Sequence, residues 1–338
     1  MNIKTAKNII DFEMDYVTKS DYYVCLNLEL FGGEPFLEFN LMKDIVDYVK
    51  SKIFKKEISI LITTNGTLVH GKIQEWLKEN TDLVQCCLSL DGTKKMHDIN
   101  RCNSFDRIDL KFFRETYPEE KVKMTISPES LPFLSEGVIF CHNNGFNVGC
   151  NLAFGIDWTD NNNLRLLKRE LEKLSDYYLN NPTVVPCDML GEPIRTRRSN
   201  TDMCRKWCGV GTHTCSYDTF GNKYPCQFFM PISMGDELSR KGKDMIFNDF
   251  FPLSNINEKC RNCVYEPSCP TCIASNYKRT GNPYKRDETM CDLYKLIIDA
   301  RCDYLAHRWE SGHLDFDKET EVETLMSIVK IEKQKRIS

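Results

Sequence analysis

The sequence predicts an α/β fold with a parallel sheet, followed by a small cysteine-rich domain. Strand-like and helix-like segments alternate regularly through the first half of the 338 residues. This alternation indicates a parallel sheet, either open or closed into a barrel. Glycine and polar residues follow three of the predicted strands, at the sheet edge where parallel α/β folds bind ligands. Ten of the seventeen cysteines lie between Cys204 and Cys302.

The individual elements follow from hydrophobic periodicity, because helices repeat apolar residues every three to four positions and buried strands are short apolar runs. The alternation begins with a helix, at 2–18, rather than with a strand. The charged tail, 316–338, is predicted to be a surface helix without an assigned function. The predicted strands are 22–31, 58–63, 83–90, 121–126 and 146–154, and the other predicted helices are 37–51, 70–80, 105–114, 131–144 and 160–179.

The overall composition is that of an ordinary globular protein, with 41% apolar and 28% charged residues. The net charge of -4 gives no indication of a basic surface for nucleic acid. No apolar run reaches the ~18 residues that span a bilayer, and the N-terminus lacks the apolar core of a signal peptide. We therefore expect a cytoplasmic protein that binds neither nucleic acid nor membrane.

Eight cysteines form a ladder whose centre has the spacing C-x2-C-x5-C-x2-C. Eight thiolates can hold two cubane 4Fe-4S clusters or two structural zinc ions, with four thiolates for each. A hairpin turning at Gly221-Asn222 would bring some of these thiols towards each other. The cysteine ladder consists of Cys208, Cys215, Cys226, Cys260, Cys263, Cys269, Cys272 and Cys291.

The other nine cysteines are predicted to pack as small buried side chains rather than to bind metal. Cys204 and Cys302 lie close to the ladder in sequence, and seven more are scattered between residues 25 and 187. An odd total is unusual for a disulfide-bonded secreted protein, whereas a reducing compartment leaves thiolates free to bind metal. The scattered seven are Cys25, Cys86, Cys87, Cys102, Cys141, Cys150 and Cys187.

Three predicted strands end in residues suited to a ligand site. The first runs into Gly-Gly-Glu at 32–34, where two glycines let a ligand approach the backbone and a carboxylate follows. The second ends in Asn-Gly at 65–66, and the third in Ser-Leu-Asp-Gly at 89–92. Each motif alone is common in turns. Three of them, in this order, favour a shared ligand site.

These motifs resemble those of radical S-adenosylmethionine (SAM) enzymes: F-G-G-E-P at 31–35, T-T-N-G at 63–66, and S-L-D-G at 89–92 followed by M-H-D-I-N-R at 96–101. The cysteine ladder resembles the SPASM extension of peptide-modifying members. The resemblance covers about residues 2–300 and implies a partial (β/α)6 TIM-like barrel missing its first strand, plus a small iron-sulfur domain. The implied domains are 1–185 for the partial barrel, 186–310 for the SPASM domain and 311–338 for a charged tail.

The resemblance also implies a SAM pocket at the strand ends. In that family the Gly-Gly-Glu motif holds the amino group of SAM, for which a carboxylate and backbone carbonyls are suited. The residues matching Ser89 and Asp91 lie near its ribose. His97 is expected to be structural rather than a catalytic base. The candidate SAM-binding residues are Gly32, Gly33, Glu34, Asn65, Ser89, Asp91 and Arg101.

By the family pattern the ladder divides into two interleaved sets, each holding one auxiliary 4Fe-4S cluster. The interval between Cys269 and Cys272 is one residue shorter than usual, which makes Cys272 the least regular ligand. Two zinc sites remain the alternative, because C-x2-C is also a zinc spacing. The first set is Cys208, Cys215, Cys226 and Cys272, and the second set is Cys260, Cys263, Cys269 and Cys291.

One family motif is missing from the sequence. Radical SAM enzymes carry a C-x3-C-x2-C loop after the first strand, so that three thiolates leave one iron open to SAM. These 338 residues contain no such triplet, and they open on the helix that would follow it. We expect the strand and the loop, with a third 4Fe-4S cluster, to be encoded upstream of Met1, or else to have been lost. Without them the chain is expected to be inactive towards SAM.

The resemblance implies radical modification of a peptide or protein side chain, with a thioether, carbon-carbon or similar product. Gln227 follows Cys226 at a position where a sulfatase-maturing branch carries Asp, which counts against that branch. The expected partners are a peptide or protein substrate and a reducing electron donor such as flavodoxin or ferredoxin. The alternative is a non-catalytic iron-sulfur protein that transfers electrons or binds a peptide.

Overall fold

The chain forms two compact units. The structure, a computed structural model, describes residues 1–197, 202–312, 314 and 316–336. The predicted domain limits at residues 185 and 310 stay predictions. Unit 1 comprises Met1–Ile126, Glu136–Cys150 and Asp218–Asn222, and unit 2 comprises the described residues of Ser127–Ser135, Asn151–Tyr217 and Lys223–Ser338.

Unit 1 is built on strands that lie side by side in the order of the sequence. Strand β1 (Cys25–Leu30) pairs in parallel with β2 (Glu57–Thr64), and β2 pairs in parallel with β3 (Val84–Leu88). A parallel bridge from Ser89 to Lys123 continues the order from β3 to β4, which pairs with β5. This arrangement confirms the predicted α/β class. The strands are β1 (Cys25–Leu30), β2 (Glu57–Thr64), β3 (Val84–Leu88), β4 (Val122–Ile126) and β5 (Val148–Leu152).

The strands of unit 1 have one apolar face and one polar face, because successive side chains alternate between the two sides of a sheet. The apolar face is buried, and Ile60, Ile62 and Val84 have no exposed surface. The other face, called the polar face below, is partly open. It carries Asn27 and Glu29 on β1, Ser59 and Thr63 on β2, and Lys123 on β4.

One helix of unit 1 precedes the first strand in the sequence, and the others connect successive strands. Asn2 caps the helix before the first strand, because its Oδ1 accepts a hydrogen bond from the backbone N–H of Thr5 at 2.9 Å. The helices are α1 (Ile3–Thr18), α2 (Phe39–Lys50), α3 (Lys72–Glu79), α4 (Lys94–Asn100), α5 (Leu110–Thr116) and α6 (Leu134–Asn143), of which α6 begins two residues before the part assigned to unit 1.

Two details of this region differ from the sequence prediction. The segment predicted as a helix at 105–114 is a 3-10 turn at Phe105–Arg107, followed by α5. The break occurs at Asp109, whose carboxylate caps α5 by accepting from the N–H of Phe112 at 3.1 Å. Helix α4 was not predicted. It is only seven residues long, which is too short for a clear periodic pattern.

Unit 2 is mostly helical, with two short antiparallel strand pairs. Helix α13 (Cys291–Glu310) packs against α7 (Asn162–Asn180) and α8 (Asp188–Gly191). The buried guanidinium of Arg301 on α13 donates from Nε to the carbonyl of Met189 on α8 at 2.8 Å. The helices are α7 (Asn162–Asn180), α8 (Asp188–Gly191), α9 (Pro231–Met234), α10 (Asp236–Gly242), α11 (Glu258–Arg261), α12 (Ile273–Thr280), α13 (Cys291–Glu310) and α14 (Lys318–Lys335). The strands are β6 (Met203–Arg205) with β9 (Phe250–Pro252), and β7 (Ser216–Tyr217) with β8 (Lys223–Tyr224).

The hairpin predicted around Gly221-Asn222 is present. Strands β7 and β8 pair antiparallel, and Gly221 has a φ of +88° in the turn between them. A side chain at that φ would be strained, which explains the glycine. None of the helices in the described ranges combines the length and the apolar character needed to cross a bilayer.

Candidate functional site

The end of β1 presents an open stretch of backbone. Gly32 and Gly33 are both exposed, and a Cβ added at either would have no other atom within 4 Å. The backbone groups of both residues are therefore accessible to a ligand. This is the arrangement that the Gly-Gly motif predicted for this strand end.

Glu34 joins the ends of β1 and β2. Its buried carboxylate accepts at Oε1 from the Phe36 N–H (3.1 Å) and the Thr64 hydroxyl (2.8 Å), and at Oε2 from the Asn65 N–H (2.9 Å). A carboxylate has about four acceptor positions. Three are filled here, so Oε2 keeps one position for a further donor such as an ammonium group.

Asn65 and Gly66 form the turn that follows β2. The Asn65 Oδ1 accepts from the N–H and the hydroxyl of Thr67 at 2.9 and 2.8 Å, a local pattern that stabilises turns. Gly66 has a φ of +78°, and a Cβ there would lie 2.7 Å from Cδ1 of Leu88. Gly66 is therefore needed for the turn and for its packing against β3.

Asp91 and Arg101 form an ion pair in which the carboxylate is buried and the Arg101 side chain is 24% exposed. Asp91 has no exposed surface. Its Oδ2 accepts from Nε of Arg101 at 2.7 Å and its Oδ1 accepts from NH2 of Arg101 at 3.0 Å, a bidentate arrangement. Oδ1 also accepts from the N–H of Thr125 at 2.9 Å. The structure thus brings these two candidates together and joins them to β4, while their predicted contact with SAM stays a prediction.

Ser89 and His97 lie beside Asp91 in the fold. The N–H of Ser89 donates to the carbonyl of Thr64 at 2.9 Å, and Ser89 is partly exposed next to the polar face. His97 is buried on α4, and its Nδ1 accepts from the N–H of Asp91 at 3.2 Å. Its Nε2, 3.0 Å from the Ser104 hydroxyl, then carries the proton. Burial lowers the pKa of His97, so the neutral ring serves the structural role that the sequence predicted.

A polar network on the open side of the strands was not predicted from the sequence. Nζ of Lys123 donates to Oε1 of Glu29 at 3.2 Å and lies 2.8 Å from the hydroxyl of Thr63. These residues come from β4, β1 and β2, and both charged side chains are nearly half exposed. The signal that could have found them is alternation, because polar residues occupy every second position of otherwise apolar strands.

In unit 2, the fold brings together thiols of the first set. Burial raises the pKa of the Cys226 thiol to about 11, and repulsion from Cys272 and Cys208 adds to the rise. Burial also raises the pKa of Cys272, again with a contribution from Cys208. These three thiols therefore lie within electrostatic range of one another. Cys215, the fourth member, is half-buried at the start of the β7–β8 hairpin.

The four thiols of the second set also lie close together. Burial raises the pKa of Cys269 to about 11, and Cys291 and Cys263 contribute repulsion. Burial raises the pKa of Cys260, and repulsion from Cys263 and Cys291 raises it further. Cys260, Cys269 and Cys291 line one cavity, which Cys272 of the first set also borders.

The donor atoms suit a metal cluster, although they do not converge on one point. Each set offers four thiols and no carboxylate or imidazole, which is the donor chemistry of 4Fe-4S clusters and of structural zinc. Within the described residues, no three His, Cys, Asp or Glu side chains come close enough together to hold a metal ion. The thiols are therefore near neighbours whose side chains would have to rotate to share a ligand.

The chain is similar in sequence to enzymes that are named for radical SAM chemistry or for sulfatase maturation. A radical SAM cyclopropyl synthase, TigE, of Paramaledivibacter caminithermalis is 25% identical over 313 residues, 88% of this chain. A cysteine-type anaerobic sulfatase-maturating enzyme of Clostridium novyi is 23% identical over 312 residues, 82% of this chain and 80% of the enzyme. The chain is similar in sequence to radical SAM and maturase enzymes over most of its length. This confirms the resemblance seen in the sequence motifs.

The sequence similarity covers only part of one of these relatives. The chain spans 64% of the length of the cyclopropyl synthase. No family model matches the chain.

Solved structures that hold S-adenosylmethionine share the fold. The structure titled native anSMEcpe with bound AdoMet matches 89% of this chain and 87% of its own, with a TM-score of 0.64 and 16% sequence identity. A second structure of that protein holds AdoMet and the Cp18Cys peptide and matches with a TM-score of 0.60. SuiB of Streptococcus suis, bound to S-adenosylmethionine, matches with a TM-score of 0.50. The partial barrel predicted for this chain is one form of this shared α/β fold and stays a prediction.

A network that braces the loop before Cys215 was also missed by the sequence. The buried ammonium of Lys206 donates to the carbonyl of Val210 at 2.7 Å and lies 3.3 Å from a carboxylate oxygen of Asp249. The Thr212 hydroxyl donates to Asp249 at 2.8 Å and, with His213 and Lys206, lowers the pKa of Asp249 to about 2 against the opposing effect of burial. These contacts fix the loop between Cys208 and Cys215.

Proposed function

We propose that the chain acts in radical SAM modification of a peptide or protein side chain, with a thioether, carbon-carbon or similar oxidative product. The observation that carries the proposal is the grouping of the ladder thiols. Cysteines as far apart in sequence as Cys208 and Cys272 come within electrostatic range of each other, which supports the sets that the family pattern implies. The names of the homologues support the same reaction class.

In this proposal unit 2 holds two auxiliary 4Fe-4S clusters. The first set of thiols holds one cluster and the second set holds the other. Each cluster would be bound by four thiolates, so it has no open iron and supplies electron transfer. A flavodoxin or ferredoxin is the proposed electron donor. We also propose a cytoplasmic location, which is supported by seventeen free cysteines.

Unit 1 is proposed to bind SAM at the ends of its strands. The accessible backbone of Gly32 and Gly33, and the remaining acceptor position of Glu34, suit the ammonium group of SAM. Ser89, Asn65, Asp91 and Arg101 complete the proposed pocket. The proposed substrate is a peptide or a protein side chain, because a solved neighbour holds AdoMet and a peptide together.

A glycine substitution tests the SAM site. Gly33→Ala is expected to fold normally, because the added Cβ meets no atom within 4 Å. It is expected to weaken SAM binding by about tenfold or more, equivalent to about 1.4 kcal/mol, because the methyl group would meet the ligand. Equilibrium dialysis with labelled SAM and thermal unfolding measure the two effects.

The matched comparison is Gly66→Ala. Its Cβ would lie 2.7 Å from Leu88 at a φ of +78°, so it is expected to lower the thermal stability, unlike Gly33→Ala. Unchanged SAM binding by Gly33→Ala would refute the proposed pocket. Weaker binding together with lower stability would show that Gly33 acts on the fold instead.

The chain by itself is expected not to cleave SAM reductively. The sequence has no C-x3-C-x2-C triplet, and a cluster held by four thiolates offers no iron to chelate the amino and carboxylate groups of SAM. The measurement is 5'-deoxyadenosine formation by the anaerobic protein with dithionite. Its detection above the level of a protein-free control would contradict the expectation.

A further inference from the structure

The second set of thiols lies beside a buried group of charges formed by Arg197, Glu266 and Arg286. The Glu266 side chain is only 5% exposed. Its Oε1 accepts from NH2 of Arg286 at 2.6 Å, and its Oε2 accepts from NH2 of Arg197. Glu266 lies in the five-residue interval between Cys263 and Cys269, so the buried charge group is built into the ladder itself.

Arg286 is held rigidly against the second set. Its NH1 donates to the carbonyl of Cys269 at 2.9 Å, and its NH2 donates to the carbonyl of Glu266 at 3.1 Å. Its own N–H donates to Oδ1 of Asn257 at 2.7 Å. The side chain is 13% exposed and lines the same cavity as Cys260, Cys269 and Cys291.

The buried charge group carries one net positive charge, because two guanidinium groups share one carboxylate. Arg286 directs this charge at the second set, because its NH1 bonds the carbonyl of Cys269 and its side chain lines the cavity of Cys260, Cys269 and Cys291. Arg197 points elsewhere, with its NH2 3.6 Å from Sγ of Cys204.

The other charged side chains around the cavity form neutral pairs. Lys259 lies 2.7 Å from Glu288, and both are half exposed. Arg279 lies 3.0 Å from Asp287. Because surface pairs are screened by water while a buried charge is not, the buried charge group supplies the dominant unbalanced charge among these described residues, and Arg286 is its member at the cavity of the second set.

We propose that Arg286 raises the reduction potential of the cluster held by the second set, and that Glu266 positions Arg286 and limits its effect. The inference rests on the proposed function, since it requires a 4Fe-4S cluster at these thiols. One-electron reduction by a low-potential donor adds one negative charge to the cluster. A fixed positive charge nearby stabilises the reduced state, since net charge and second-shell groups tune cluster potentials.

The test is an anaerobic redox titration of the full chain, followed by the electron paramagnetic resonance signal of the reduced clusters. In Arg286→Gln, the potential of one cluster is expected to fall. The ratio of reduced to oxidised cluster at a fixed potential should change about tenfold, which corresponds to about 59 mV for one electron. Glu266→Gln adds a net positive charge, so its potential is expected to move in the opposite direction. Arg286→Lys keeps the charge and should shift less than Arg286→Gln.

Two further variants make the result specific. Cys263→Ala identifies the signal of the second set, because that signal should disappear. Lys278→Gln removes an exposed charge from the same unit, where Nζ of Lys278 donates to the carbonyl of Ser233 at 2.7 Å, and should shift neither potential. Opposite shifts from the Arg286 and Glu266 variants separate a charge effect from a general loosening of the fold.

Each outcome decides the inference. Unchanged potentials in Arg286→Gln with normal iron content overturn the inference and leave the proposed function intact. A wild-type chain without any iron-sulfur signal overturns both. If Arg286→Gln loses its cluster, the decision passes to Glu266→Gln and Arg286→Lys: a fall in potential in the former, or a fall of about 59 mV or more in the latter, overturns the inference.

Discussion

Cys263→Ala is expected to lower the iron content of anaerobically purified protein from about eight atoms per chain to about four. The reason is that the second set loses one of its four thiolates, while the first set stays complete. Acid-labile sulfide should fall in parallel. Cluster binding also stabilises the fold, so thermal unfolding of the variant should begin at a lower temperature. Iron and sulfide analysis with absorption spectra measures this result.

Variants in the other set and outside both sets complete the experiment. Cys226→Ala is expected to remove the other half of the iron, and Cys226→Ala with Cys263→Ala should remove nearly all of it. Cys102→Ala, which changes an exposed thiol of unit 1, should have no effect on iron content. Colourless wild-type protein with two zinc ions per chain would contradict the cluster assignment and favour the zinc alternative.

Asp91→Ala is expected to destabilise the protein by about 2 kcal/mol or more, because it removes a fully buried carboxylate and leaves its hydrogen-bond donors without a partner. The substitution leaves the Arg101 guanidinium without its bidentate partner and the N–H of Thr125 without its acceptor. The loss therefore falls on the connection between the β3 end, α4 and β4. Urea unfolding followed by circular dichroism measures the change.

The matched control is Asp106→Ala. Asp106 also forms an ion pair, with Lys94 at 2.5 Å, but its side chain is 71% exposed. Exposed pairs contribute at most about 1 kcal/mol, so this variant should unfold close to the wild-type midpoint. Similar losses in both variants would mean that Asp91 is not the anchor that its burial indicates.

Part of the fold is a local property of the sequence and could be predicted from it. The strand-helix alternation depends on apolar periodicity within each segment, and β1 to β5 lie where short apolar runs indicated. The sequence prediction of the helices was wrong at two places, each for a local reason. Asp109 begins α5 later than predicted, and α4 is too short for periodicity to show.

The candidate residues of the SAM pocket show where prediction from the sequence ends. The motif identified Glu34 and Asp91 as carboxylates at strand ends. Only the fold determines that Glu34 keeps an acceptor position after bridging β1 and β2, while Asp91 is fully engaged with Arg101 and β4. Whether a carboxylate is available to a ligand depends on which partners the backbone brings to it, and sequence spacing does not contain that information.

The sequence by itself determined the α/β class, the strand ends suited to a ligand and the eight-thiol ladder, because each depends on residue types at short spacing. Tertiary structure alone decided which distant groups meet. It places Lys123 on Glu29 across 94 positions, brings Cys272 near Cys208, and sets Arg286 between Glu266 and the second set. Electrostatic interactions depend on distance through space and on burial. Both quantities are fixed only when the chain has folded.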